Sequence, residues 1–345
     1  MHDWLQRVWY GGSGWYRVLL PLAGLYWMVI TIRRALYRYG VFTSSCASVP
    51  VVVVGNITAG GTGKTPVCIW LAEELRSRGF SPGIVSRGYG GSKGSASMRV
   101  DAESDPSEVG DEPVLIAKRT GCPVVVDADR VRAVEMLVAD GADVIVADDG
   151  LQHYGLKRIV EVCVIDGSRG LGNRRLIPAG PLRETLGRLS EVDTVLINGE
   201  LTQPSDELSA VEQNAIEFNL VAREVSRLNG SLTRPIDRFA GQTVHAVAAI
   251  GNPRRFFDML RAAGMQVIEH AFPDHAPLAP SQLRFGDDFD VLMTEKDAVK
   301  LGTVSSDQLW TVPVELKMDA LEAGPWLEQI ESRLRDEMDQ SRTNS

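Results

Sequence analysis

The chain has 345 residues, enough for two domains of ~100–200 residues each. Its hydrophobic fraction of 44% and charged fraction of 23% supply an ordinary globular core, and the net charge of -9 excludes a general nucleic-acid binder. Cys46, Cys68, Cys122 and Cys163 are scattered without a C-x-x-C pair or a histidine at ligand spacing, which argues for reduced thiols in a cytosolic compartment over zinc or disulfides.

Residues 1–40 carry Arg7, Arg17, Arg33, Arg34 and Arg38 against one acid, Asp3. They also hold Trp4, Trp9, Trp15 and Trp27 and Tyr10, Tyr16, Tyr26, Tyr37 and Tyr39. The uncharged run Val18–Ile32 is shorter than the ~20 apolar residues of a spanning helix, and Pro21 and Gly24 weaken it. Aromatic and basic flanks suit a headgroup boundary, so the reading is a helix lying in or dipping into a membrane face. A signal peptide is disfavoured because no small-residue cleavage site follows the run. An amphipathic helix packed on its own domain remains a rival.

Val49–Gly55 reads as a buried strand, Pro66–Arg78 as a helix ending at Gly79, and Ser81–Ser86 as the next strand. Residues 92–110, rich in Ser, Gly and acids, read as a loop. A helix over Asp111–Arg119, a strand over Pro123–Asp127 and a helix over Asp129–Asp140 follow. Asp143–Ala147 is a strand running into Asp148-Asp149-Gly150, and Glu161–Asp166 and Asp193–Asn198 are further strands. This alternation predicts an α/β, P-loop NTPase-like, doubly wound parallel sheet. Residues 200–235 are polar and weakly patterned. Beyond them come a strand (Thr243–Ile250), a turn (Gly251-Asn252-Pro253), a helix (Arg254–Ala263) and strands over Met265–His270 and Asp290–Thr294, a second, smaller α/β domain. The expected divisions are a membrane-associated helix (1–40), a first α/β domain (41–205), a linker (206–235), a C-terminal α/β domain (236–333) and a frayed tail (334–345).

Thr58-Ala59-Gly60-Gly61-Thr62-Gly63-Lys64-Thr65 lies between a predicted strand and a predicted helix, the setting of a phosphate-binding loop. Glycines let backbone N–H groups face phosphate oxygens at a helix N-terminus. Lys64 is placed to reach the β- and γ-phosphates of ATP, and Thr65 to ligate Mg²⁺. Asp148 and Asp149, ending an apolar strand, are the candidates to hold that metal directly or through water. A kinase needs a group to take the acceptor proton, and both Asp111-Glu112 and Asp274-His275 are available. Asp111 could equally cap a helix. The turn-rich stretch Asp166–Glu184 reads either as a ligand wall or as a solvated connector.

Together these segments resemble the tetraacyldisaccharide 4'-kinase family. The resemblance rests on the run ending Gly-Lys-Thr-Pro66, Ser86-Arg-Gly-Tyr-Gly-Gly91, Gly110-Asp-Glu-Pro113, Asp148-Asp-Gly-Leu-Gln-His153, Pro178-Ala-Gly-Pro-Leu-Arg-Glu184, Phe272-Pro-Asp-His275 and Thr294-Glu-Lys-Asp297. It covers most of the chain, and Thr58 matches the family's own first loop residue. It implies phosphorylation of the 4'-hydroxyl of a tetraacyl glucosamine disaccharide 1-phosphate, giving lipid IVA, with ATP and Mg²⁺, at the cytoplasmic face of the bacterial inner membrane. It further implies two α/β/α domains and an active site in their cleft. Asp111 would act as base with His275 tuning it, Asp149 with Thr65 would become the best metal candidate, and Glu112, Arg130, Arg183 and Glu184 would rank second. Arg87 or Arg183 would meet the 1-phosphate. No obligatory protein partner is implied. An ATP-hydrolysing switch and a kinase for a soluble sugar or nucleoside also fit the phosphate-binding loop, without accounting for the later motifs.

Overall fold

The computed structural model describes residues 2–89, 91, 96–202, 215–302, 304 and 306–343. The chain opens with two helices, α1 (His2–Tyr10) and α2 (Tyr16–Arg38). β1 (Val51–Gly55) follows; its consecutive valines are β-branched and buried on both faces, as a central parallel strand demands. Then come α3 (Lys64–Ser77), β2 (Pro82–Ser86), β3 (Met98–Val100), α4 (Pro106–Val109), α5 (Asp111–Thr120), β4 (Val124–Val126), α6 (Arg130–Ala139), β5 (Val144–Asp148), β6 (Val160–Asp166), β7 (Thr194–Asn198) and β8 (Ile216–Val221). β9 (Glu224–Arg227), β10 (Thr233–Pro235), β11 (Thr243–Ala248), α7 (Pro253–Ala262), β12 (Gln266–Ala271), β13 (Asp290–Thr294), α8 (Glu295–Ala298) and β14 (Leu309–Val312) form the second body. β15 (Glu315–Met318) and α9 (Ala320–Thr343) end the chain.

The first sheet runs β15-β8-β7-β6-β1-β5-β2-β4-β3 and is parallel except at its two edges. β1 sits between β5 and β6, so the phosphate-binding loop leaves the sheet where the strand order turns, the usual ligand position of an open α/β sheet. Val52 and Val54 face α3, α5 and α9, while Val51 and Val53 face the α6 side. The second sheet runs β10-β9-β14-β13-β11-β12, with Phe256, Phe257 and Leu260 of α7 buried against one face.

Four expectations need correction. The stretch assigned to a linker supplies β8 to the first sheet and β9 and β10 to the second; residues 203–214 lie outside the described residues. In β8, Ile216, Phe218 and Leu220 turn to the core while Glu217 and Asn219 alternate with them, a period of two hidden by polar composition. The tail is not frayed after Arg333: α9 continues to Thr343, with Trp326, Leu327, Ile330 and Leu334 buried in the first core. Trp326 stacks on Trp70 with centroids 5.8 Å apart and rings 2° from parallel, so residues from β15 onward return to the first body. The loop 92–110 contains β3 and α4, although Gly90 and residues 92–95 lie outside the described residues. Pro21 and Gly24 do not interrupt α2. Pro21 removes one N–H near the start of a 23-residue helix whose remaining turns are intact.

Among the described residues α2 is the one helix long and apolar enough to cross a membrane. One edge of it is docked: Ala23 is buried, and the Tyr26 hydroxyl donates to the Arg183 carbonyl at 2.8 Å. The rest of the helix is open: Val18, Leu20, Leu22, Leu25, Trp27, Met28, Val29 and Ile32 are exposed, so apolar side chains flank the docked edge on both sides.

Candidate active site

The phosphate-binding loop spans the β1–α3 connection and is braced from within. Asn56 Nδ2 donates to the Gly60 carbonyl and to Thr62 Oγ1, both at 3.3 Å, and Asn198 Nδ2 donates to the Thr62 carbonyl at 3.1 Å. Gly63 has φ +101°, and a side chain there would meet Asn198 Nδ2 at 2.6 Å, so only glycine fits. A second brace comes from the turn-rich stretch: Ala59 N–H donates to the Pro181 carbonyl and Arg183 N–H to the Ile57 carbonyl, each at 2.7 Å. Thr58 is buried and bridges antiparallel to Leu182. The stretch is therefore not a solvated connector but a strap over the loop, with Asp166 lining the cleft beside it, and α1 rests on it through Trp9 Nε1 and the Pro178 carbonyl.

Asp149 sits at φ +49°, just past β5, with Lys64 Nζ 3.6 Å away and Arg183 Nη1 3.0–3.1 Å from both of its oxygens. Burial alone would raise its carboxyl, but Lys64 and Arg183 outweigh that and hold it down to about 2. Asp148 is buried, accepts from Ser86 Oγ at 3.2 Å, and is pushed up by burial and by the Glu112 and Asp149 charges. Asp148 and Asp149 beside the loop offer carboxylate oxygens of the kind that hold Mg²⁺ together with waters and phosphate oxygens, although Asp149 is here paired with Lys64 and Arg183. Arg130 is buried and donates to the Asp148 carbonyl at 2.8 Å, so it shapes this corner from behind. Glu184 is likewise buried, accepting from the Tyr154 hydroxyl at 2.8 Å beside Arg188. Arg87 is exposed.

Across the cleft, Asp111 at the start of α5 and His275 in the loop after β12 meet, with His275 Nδ1 2.9 Å from Asp111 Oδ1. His275 holds the left-handed conformation, φ +59°, which costs a non-glycine residue on the order of 1 kcal/mol and fixes the ring's direction. Burial raises Asp111, but the His275 hydrogen bond and the Lys296 and Lys300 charges outweigh it, so its carboxyl lies below the usual range. Burial lowers His275, and the Asp111 hydrogen bond reverses that to a net increase. Asp111 Oδ2 is buried without a hydrogen bond among the described residues, with Lys300 Nζ 3.4 Å away.

Sequence reasoning missed three contributors. Lys296 Nζ lies 2.9 Å from Glu112 Oε1, 3.2 Å from Asp274 Oδ1 and 3.3 Å from His275 Nε2. Asp166 ties the two bodies by accepting from Asn252 Nδ2 and Arg255 Nη2, both at 2.8 Å. Gly251 presses on the phosphate-binding loop so closely that a side chain there would come within 2.3 Å of Gly61 N. The Thr294–Asp297 motif and the Gly251-Asn252 turn were visible signals, but nothing in sequence order tied them to partners such as Glu112, Asp166 and Gly61, which lie 86 or more positions away.

The model of a family described as tetraacyldisaccharide-1-P 4'-kinase matches residues 15–335. A tetraacyldisaccharide 4'-kinase from Alkalilimnicola ehrlichii is 50% identical over 299 residues, 87% of this chain and 88% of the relative. Another from Hahella chejuensis is 43% identical over 342 residues, 97% of this chain and 98% of the relative. Among solved structures, LpxK from Aquifex aeolicus in complex with ATP superposes with a TM-score of 0.76 at 26% identity, covering 92% of this chain and 99% of that one.

Proposed function

The chain belongs to the tetraacyldisaccharide 4'-kinase family, and we propose that its interdomain cleft carries out this transfer with Asp111 as base and Lys64 as phosphate clamp. The reaction moves the γ-phosphoryl group of ATP to the 4'-hydroxyl of a tetraacyl disaccharide 1-phosphate, a step of lipid A biosynthesis. The 4'-oxygen bonds to the γ-phosphorus as the β–γ bridging bond breaks, its electron pair leaves with ADP, and the hydroxyl proton passes to Asp111. The observation that carries this reading is the Asp111–His275 contact at 2.9 Å, which joins the two bodies and leaves Asp111 Oδ2 without a hydrogen bond among the described residues.

Backbone N–H groups at the start of α3 and the Lys64 ammonium would hold the β- and γ-phosphates. Thr65 and Asp149, with Asp148 behind, would hold Mg²⁺, which when bound neutralises charge developing on the transferred group. Arg183 is committed to Asp149, so the exposed Arg87 is the better partner for the anionic 1-phosphate. Asp111 Oδ2 is covered in this arrangement, so the bodies must part to admit the acceptor and close again to exclude water.

Lipid delivery would follow from α2. A helix of 23 residues is about 35 Å long, enough for the bilayer core, but its middle is docked through Ala23 and Tyr26. A helix tied along its length to the protein body through Ala23 and Tyr26, with its remaining apolar surface open, suits lying in the cytoplasmic face of the inner membrane better than crossing it. The test is γ-labelled ATP with Mg²⁺ and tetraacyldisaccharide 1-phosphate in detergent micelles. Label in the lipid that disappears in Asp111→Ala supports the reading; release of inorganic phosphate with no labelled lipid overturns it.

A further inference from the structure

Lys296 is buried to 14% side-chain exposure, and its segment is built to present it. Thr294 Oγ1 donates to Asp297 Oδ2 at 2.7 Å, and fully buried Asp297 accepts the Ala249 N–H at 2.9 Å, which pins the segment to the end of β11. Its neighbours reach the other way, to α5: Glu295 pairs with Arg119 at 2.7 Å and Lys300 lies 3.4 Å from Asp111 Oδ2. Lys296 stands between them, holding Glu112 of α5 and Asp274 and His275 of the second body at once.

An ammonium group can only donate, and a carboxylate can only accept. His275 faces Asp111 with Nδ1 and Lys296 with Nε2. Nδ1 therefore carries the proton given to Asp111, and Nε2 is left as the acceptor from Lys296. The groups around the imidazole are Asp111, Asp274, Lys296 and the Tyr89 ring, with Glu112 and Lys300 one contact further out. Two of the three groups in polar contact are anionic and draw a proton onto the pair; Lys296 opposes them.

We infer that Lys296 is a positioning residue for the phosphoryl transfer, opposing a second proton on His275 at Nε2 and holding the Asp111–His275 pair together across the cleft. The inference rests on Asp111 being the base. A His275 locked this way donates to Asp111 without delivering a second proton to it, so the carboxylate keeps its capacity to accept the acceptor hydroxyl's proton.

The experiment compares Lys296→Met and Lys296→Arg with the parent enzyme in the micellar lipid assay, recording kcat and KM against pH. In parallel, the His275 ring is titrated by NMR in the folded proteins, a readout that needs no turnover. Lys296→Met is expected to lower kcat about 10²-fold with a small change in KM for ATP. It is also expected to move the acid limb of kcat, and the His275 titration, upward by roughly one pH unit. Lys296→Arg should recover at least about tenfold of the lost rate, because the positive charge returns with imperfect geometry. Glu112→Gln provides a check of opposite sign should Lys296→Met fail to fold: with one anion gone from Lys296, both midpoints should move downward. The inference is overturned if Lys296→Met stays within about threefold of the parent in kcat, if neither midpoint moves, if Arg rescues no better than Met, or if Glu112→Gln moves the midpoints upward. Should the parent itself fail to label lipid, the kinase reading falls while the NMR titration still decides whether Lys296 sets the state of His275.

Discussion

The two halves of the cleft are built on opposite plans. The phosphate side is one continuous stretch, Thr58–Thr65, braced by Asn56, Asn198 and the strap at Pro181–Arg183. The proton side draws on three distant segments, with Asp111 on α5, His275 after β12 and Lys296 on α8. A continuous loop is held by local geometry and persists when the bodies separate; an assembly of three segments exists only while they are together. On the proposed roles, binding of nucleotide and readiness for chemistry would thereby be separated in the fold.

The largest effect should come from the proton side. Asp111→Ala is expected to reduce kcat by ~10²–10⁴ while ATP affinity, followed by fluorescent nucleotide titration, stays near the parent value. A small loss of kcat with a raised KM for the lipid would make Asp111 a binding group and erase the contrast. Lys64→Ala, on the phosphate side, is expected to cost about 10²–10³ in kcat through lost stabilisation of charge on the transferred group. It should weaken ATP binding as well, and that second effect distinguishes the halves. If both variants behaved alike in nucleotide titration, the cleft would have to be treated as a single unit.

The same division explains what could be read from the sequence. The strands β1, β2, β5, β6, β7, β11 and β13 were recognisable as short apolar runs, and their predicted bounds agree within two residues or so. The phosphate loop was legible because its chemistry is contiguous. Asp111 and His275 were each visible, but only the family resemblance paired them, since 164 positions separate them. Lys296 sat inside a quoted motif with no role, because its partners come from two other segments. β8 and α9 escaped because alternate or helically spaced apolar residues lie among Glu, Asn and Arg. Their burial is decided by the sheet they join and not by their own composition.

A third prediction probes where the halves touch. Gly251 has no room for a side chain: a Cβ would lie 2.3 Å from Gly61 N and 2.9 Å from Gly61 Cα, both backbone atoms that cannot yield alone. Gly251→Ala should hold the bodies apart, and overpacking of this kind costs ~1–3 kcal/mol. The expected result is a fall in kcat of roughly 5- to 150-fold, with nucleotide binding largely retained and greater protease sensitivity of the interdomain segments. An unchanged kcat would mean the contact at Gly61 can be lost without opening the Asp111–His275 pair, and the halves would be less interdependent than their geometry indicates.

The smallest effect tests whether α2, the helix proposed to lie in the membrane face, belongs to the phosphate side. Tyr26 donates to the Arg183 carbonyl, and Arg183 in turn bonds the Ile57 carbonyl through its N–H and Asp149 through its guanidinium. The hydroxyl thus helps seat the strap on which the phosphate loop leans, while the ring contributes apolar surface. Tyr26→Phe removes only the former. One hydrogen bond is worth about 0.5–1.5 kcal/mol, so kcat/KM on vesicle-bound lipid should fall by roughly two- to tenfold with vesicle binding unchanged. A fall in vesicle binding parallel to activity would reduce Tyr26 to an anchor residue. No change in either would mean that the Ala59–Pro181 and Arg183–Ile57 bonds hold the strap unaided, leaving α2 energetically independent of the site beside it.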